Sequence, residues 1–231
     1  MFDRRLSGGH AVVSLAAVLA LALAVTLGPG IAGAANTTDV ASAGSGARVH
    51  KAIFHDAMRK LWEDHITWTR LFIVSAATEK DPLPDLAATT DRLLANQTDI
   101  GNAIKPYYGS AAGNHLTALL RTHILTAAQL LTAAKAGDSA GVTAASTAWY
   151  ANANEIAAFL HSANPRHWAL ADLKAMMKSH LDLTLKEALD RLGGHFAADV
   201  ADYDQVHAEI LEMADTLSAG IIAQFPRKFA P

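Results

Sequence analysis

The sequence predicts an all-α protein, an up-and-down antiparallel bundle of about six helices in three hairpins. Three observations carry that reading. Apolar residues recur three and four apart through nearly all of the chain after residue 48, and no stretch alternates in the two-residue rhythm of a half-buried strand. Helix-breaking residues punctuate the pattern: Pro82 and Pro84, Pro106 with Gly109, Gly137, Pro165, Gly193-Gly194 and Pro226. Alanine is abundant between them, and it combines high helix propensity with a side chain small enough for close helix approach.

Before the bundle, Arg4 and Arg5 precede an uncharged apolar run from Ala11 to Leu27. Gly28-Pro29-Gly30 breaks that run, and Ala32-Gly33-Ala34 offers a small-x-small cleavage site. This is the layout of a secretory signal peptide over 1–34. Kept uncleaved, the run is nearly long enough to anchor the chain in a membrane. Residues 35–48, mostly Ala, Ser, Thr and Gly, read as a disordered leader. The helical domain is then 49–229, expected outside the cytoplasm, either secreted or in the cell envelope. No integral membrane segment is expected after cleavage.

The first predicted helix carries Met58, Leu61, Trp62, His65, Trp68, Thr69 and Phe72 on one face, with Glu63 and Arg70 on the other. Asp81-Pro82-Leu83-Pro84 turns the chain into a second helix, whose stripe is Leu86, Leu93, Ile100 and Ile104 with Gln97 inside it. Pro106-Tyr107-Tyr108-Gly109 closes that helix. A third presents Leu116, Leu120, His123, Ala127 and Leu130; Gly137 then supplies a C-terminal turn, and Asp138 or Ser139 the next N-cap. The fourth places Trp149, Ala153 and Ile156 inward with Asn152 beside them. The fifth turns Leu173, Met177, Leu181 and Thr184 inward, with His180 at the edge. The last carries Val200, Tyr203, Val206, Ile210, Ala214, Leu217 and Ile221, with His207 in the same sector.

Composition excludes several functions. A net charge of −3 gives no field for nucleic acid or an anionic membrane. With Cys 0, thiolate metal sites, disulfides, a cysteine nucleophile and a lipoprotein anchor are ruled out. The 11 histidines call for an explanation. Four of them, His65, His123, His180 and His207, fall near the middle of four different helices on the apolar side, accompanied by Gln97 and Asn152. In a bundle of antiparallel neighbours these positions meet at similar depth. Polar groups buried without partners cost about 1–3 kcal/mol each, so the layer must pair internally, hold water or bind something.

One reading is a transition-metal site with His65, His123, His180 and His207 as ligands, since neutral imidazole is the commonest nitrogen ligand and bundles build metal sites from facing side chains. Gln97, Asp99, Asn152, Glu155, Thr184 and Asp204 would then orient the imidazoles. A nitrogen-rich, carboxylate-poor set favours copper or zinc, with iron or manganese also admitted. There is no Glu-x-x-His pair of the di-iron kind; the nearest string is Asp204-Gln-Val-His207. Two facing histidines would also suit a non-covalently held haem. The other reading is a cell-envelope structural or interaction domain with a hydrogen-bonded polar core and no metal. No catalytic residue, phosphate loop or nucleophile elbow can be named. Asp202-Tyr-Asp204 reads as solvated helix surface.

The strings Leu61-Trp-Glu-Asp-His-Ile-Thr-Trp-Thr-Arg70, Asn96-Gln-Thr-Asp-Ile-Gly-Asn-Ala-Ile-Lys-Pro-Tyr-Tyr-Gly109, His180-Leu-Asp-Leu-Thr184 and Gly220-Ile-Ile-Ala-Gln-Phe-Pro226 together resemble a family of secreted bacterial helical proteins of unassigned function. Its members sometimes carry the label "glycosyltransferase". The resemblance spans nearly all of the chain after the signal and implies no catalytic residue. The residues themselves show no nucleotide-binding pattern that would support the label.

Overall fold

The computed structural model describes residues 37–230, with side chains from residue 46 onward. The predicted signal segment lies outside the described residues. The elements are α1 (Thr37–Ala76), α2 (Leu86–Ala136), α3 (Ser139–Ala163), α4 (Leu170–Leu192) and α5 (Phe196–Gln224), followed by a 3₁₀ turn at Pro226–Phe229. Among the described residues there is no strand. Helix α1 packs on α2 and α5, α3 lies between α2 and α4, and α4 packs on α5.

Two boundaries differ from the sequence reading. Helix α1 starts at Thr37, so most of the expected leader forms its first turns. The alanines of this stretch, the best helix formers, favour that start. The expected second and third helices run together as one element, so that five helices pack together among the described residues. That element, α2, is interrupted at Gly109, whose φ of 85° and ψ of 166° are accessible to glycine and strained for other residues. The interruption lets the two arms of α2 approach each other. A Cβ on Gly113 would meet Gly101 O at 2.5 Å, whereas a straight helix would hold residues so far apart in sequence about 18 Å from each other. Arg121 also donates to Leu94 O at 3.2 Å across the two arms.

Anticipated caps are present. Gly137 takes the left-handed conformation after α2, and Asp138 Oδ1 accepts from Gly141 N at 3.0 Å to start α3. One half of the core is apolar, built from Met58, Trp62, Ile100, Leu116, Ile156, Trp168, Met177, Met213 and Ile221. Here Gly220 lets Trp168 lie directly on the α5 backbone, since a Cβ at 220 would fall 2.0 Å from the indole Nε1.

The phase of α5 corrects the sequence reading at its first turns. Val200, expected inward, is 55% exposed, while Asp199 and Asp202 are buried at 0% and 2%. The spacing of Val206, Ile210, Met213, Leu217 and Ile221, extended backwards, selects 199 and 202 rather than 200. Asp202 is therefore not the solvated surface residue expected.

The buried histidine layer

Three of the four candidate histidines meet in the core. His65 from α1, His123 from α2 and His180 from α4 are each no more than 4% exposed. The rings of His65 and His180 lie with centroids 5.8 Å apart, and those of His123 and His180 6.2 Å apart and nearly parallel. Trp62 sits edge-on to His65 at 5.8 Å, and Trp149 lies 5.4 Å from His123. His207 does not join them. It is on the rim, 38% exposed at its side chain, with Nε2 2.9 Å from Glu63 Oε1. Glu63, expected to face solvent or Arg70, instead holds this outer histidine.

Each buried imidazole is fixed through Nδ1. Asn152 Nδ2 donates to Leu119 O at 3.2 Å, which turns its Oδ1 towards His123 to accept from Nδ1–H, also at 3.2 Å. His180 Nδ1–H donates to Glu209 Oε2 at 3.1 Å. Both imidazoles then keep their Nε2 lone pairs. His65 is set the opposite way. Gln97 Nε2 donates to Leu93 O at 2.8 Å and to His65 Nδ1 at 3.2 Å, so the proton of neutral His65 sits on Nε2.

Burial keeps His65 and His123 uncharged. Desolvation, followed by the neighbouring His180 and His123, lowers the pKa of His65 well below its ordinary value. Desolvation, with His180 next, brings His123 down to about 3. Around the rings, Trp62 Nε1, Gln97 Oε1, Trp149 Nε1, Thr184 Oγ1 and Glu209 Oε1 are buried with no hydrogen-bond partner. This concentration of unpaired polar atoms is the kind that marks a place for a ligand or ordered water.

The remaining expected orienting residues divide. Gln97, Asn152 and Thr184 are in the layer. Asp99 is half exposed beside Arg92 at 3.6 Å, and Glu155 and Asp204 face solvent. Among the described residues, no group of three or more His, Asp or Glu side chains stands in ready metal-ligating geometry. Glu209 was missed by sequence reasoning because it lies off the apolar stripe of α5. Its signal was pairing across the α4–α5 contact, which requires knowing the register.

Also missed was an ionic cluster two turns further along. Arg70 Nη1 donates to Glu187 Oε1 at 2.7 Å and Nη2 to Asp199 Oδ2 at 3.0 Å, with a further close contact from Nη1 to Asp199 Oδ1. Lys186 is paired with Asp202, and Arg191 approaches Asp199 Oδ2 at 3.4 Å. The bonds to Asp199, with those to Glu187, raise the Arg70 pKa, while desolvation raises that of Glu187 against the pull of Arg70. The sequence matches no protein-family model, and no curated protein and no solved structure is found similar to it.

Proposed function

We propose that this protein binds one transition-metal ion, zinc or copper, in its core through His65, His123 and His180, and that it serves metal handling or redox chemistry outside the cytoplasm after export by its N-terminal signal. One observation carries the reading: three imidazoles from three helices meet in the core, each anchored at Nδ1. A metal–nitrogen distance of about 2.0–2.1 Å with tetrahedral angles puts bound imidazole centroids about 5 Å apart. The 5.8 and 6.2 Å separations here are within roughly an ångström of that, closable by small ring movements. The carboxylate of Glu209 behind His180 is the kind of partner that orients a ligating histidine and strengthens it as a donor. Thr184 Oγ1, buried and unpartnered one turn from His180, fits a fourth, exchangeable position better than a fixed ligand.

The same reading treats the bundle as six antiparallel helices, with the two arms of α2 counted separately. Its support is the paired numbering of cross-helix bonds. Along α1 and α5, Arg59 pairs with Asp215, Glu63 with His207, Thr67 with Tyr203 and Arg70 with Asp199, one number rising as the other falls.

Metal analysis of tag-free protein purified in its exported form tests the proposal. We expect close to one zinc or copper per chain, lost in His123→Ala and His180→Ala, and a lower Tm after chelation. Absence of stoichiometric metal, with a Tm that chelation leaves unchanged, would establish the layer as a hydrogen-bonded structural core.

A further inference from the structure

The net charge of −3 conceals a separation of charge along the bundle. One end collects α1 around His50, the bend of α2, the α3–α4 connection and the C-terminal 3₁₀ turn. His50 Nδ1–H donates to Ala230 O at 3.3 Å, and Phe54 lies 5.2 Å from Phe229. Tyr108 packs on Trp168 and Phe225 at 6.1 and 5.1 Å, and Gln224 Nε2 donates to Ala163 O at 3.0 Å. Lys51, Lys105, Arg166, Lys174, Arg227 and Lys228 belong to these segments, and none has a carboxylate partner among the described residues. Further from this end the pattern changes: Arg59, Lys60, Arg70, Arg92, Lys178, Lys186 and Arg191 are each paired with an acid. Arg121 and Lys135 are held by carbonyls, which leaves Lys80 as the corresponding exception at the far end. Acids are scarce where the unpaired cations gather. Asp56 and Asp215 face His55 and Arg59, and Asp172 remains in the first turn of α4. Glu79, Asp81, Asp85 and Asp138 lie at the opposite end, in the α1–α2 and α2–α3 connections.

We infer that this end is a docking surface for an anionic phospholipid membrane, held by the six unpaired cations and by the apolar Val49 and Ile53 beside them. An ammonium or guanidinium with no internal carboxylate can neutralise a lipid phosphate without giving up an ion pair. Clusters of about four to eight such groups are of the size that holds a protein on an anionic bilayer. Charges further away than the Debye length, about 8 Å at physiological salt, are largely screened, so the balance at one end counts for more than the net charge of the chain. Val49 and Ile53, 51% and 62% exposed on α1, add what a soluble polyanion would not use: apolar side chains that can enter the boundary between headgroups and acyl chains. The chain also leads from this end back to the predicted signal run, because α1 enters the bundle here. The acidic far end is repelled by the same surface, which gives the docked molecule one orientation. The inference stands apart from the metal reading and holds whether or not the histidine layer is loaded.

The test is co-sedimentation of the tag-free exported protein with large unilamellar vesicles, either of pure phosphatidylcholine or of equal parts phosphatidylcholine and phosphatidylglycerol. We expect binding to the phosphatidylglycerol vesicles at low ionic strength, weakened at physiological salt, and little binding to phosphatidylcholine alone. Each cation removed should weaken binding about fivefold, so Arg227→Gln with Lys228→Gln should lose about 20-fold. Arg166→Gln with Lys174→Gln, on different segments, should lose as much, and both pairs are exposed and should leave Tm unchanged. Ile53→Ser should weaken binding about tenfold. Lys80→Gln, which removes an unpaired cation from the opposite end, should leave it as it was. No salt-sensitive sedimentation with the phosphatidylglycerol vesicles overturns the inference, whether the end then proves to hold soluble polyphosphate or the acidic end of a second copy. Equal binding to phosphatidylcholine alone, or undiminished binding in both double variants, overturns the role of the cations. Undiminished binding in Ile53→Ser overturns that of the apolar pair.

Discussion

Replacing His123 with glutamine should flatten the dependence of stability on pH. In the unfolded chain this imidazole takes up a proton as pH falls through 6.5, whereas in the fold it stays neutral down to about 3. The unfolded state therefore binds more protons across that window, and stability drops as the pH drops. From pH 7 to pH 5 the loss from His123 is about 2 kcal/mol, a large fraction of a typical total of about 5–15 kcal/mol. His65, depressed by the same burial, adds to the loss in the same direction. Glu187 acts oppositely: its raised pKa favours the folded state as pH falls. It is present in both wild type and His123→Gln, as are His180 and Glu209, so the difference between the two proteins isolates residue 123. Urea unfolding at pH 7, 6 and 5, in chelator to keep the core free of metal, gives the two slopes. The variant starts less stable because it loses contact with Trp149, but its slope should be shallower by nearly 1.4 kcal/mol per pH unit below pH 6. Parallel slopes would refute the argument that His123 is held neutral by burial.

Two further outcomes follow from the same geometry. Glu209→Gln keeps an acceptor for His180 Nδ1–H but removes the charge behind it, so zinc affinity measured by chelator competition should fall about 10- to 100-fold with little change in Tm of the metal-free protein; unchanged affinity would show that Glu209 does not act on the imidazole. Arg70→Met leaves Glu187 and Asp199 buried without their main cation, and should cost about 3–5 kcal/mol in urea unfolding at pH 7, a loss partly recovered at pH 5 as Glu187 takes a proton.

Much of this architecture was legible because its signals are local. Periodicity placed His65, His123 and His180 inward, and the fold agrees, since each is flanked a turn away by apolar residues that fix the face. Gly137 and the cap that follows it were readable for a related reason: a left-handed residue and a cap each leave a short-range mark. What failed needed relations between helices. His207 fell within the same sector as its apolar neighbours, but its face lies at the α1–α5 seam, where Glu63 reaches it from the rim. Asp202 was misread because charge was taken to mean solvent, and Asp199 went unread, although their cations arrive from α4 and α1. Glu209 was invisible for the same reason. A helix wheel gives the direction of a side chain, not what a neighbouring helix places opposite it.

The choice between a polar core and a metal centre turns on one amide. With Gln97 donating to His65, that ring carries its proton on Nε2, the nitrogen that would otherwise be available to a metal shared with His123 and His180. Turning the amide over would set its unpartnered Oε1 against Nδ1, move the His65 proton there, and free the third lone pair. The turn sacrifices the bonds to Leu93 O and Asn96 Oδ1, a net loss of about 1 kcal/mol each. Apparent binding energies of structural zinc sites at neutral pH are about 10–16 kcal/mol, so the rotation is a small fraction of what a bound ion supplies. The observed amide therefore describes the layer without metal and imposes no barrier to loading. Because His65 and His123 are already neutral, binding need not displace protons from either of them near neutral pH.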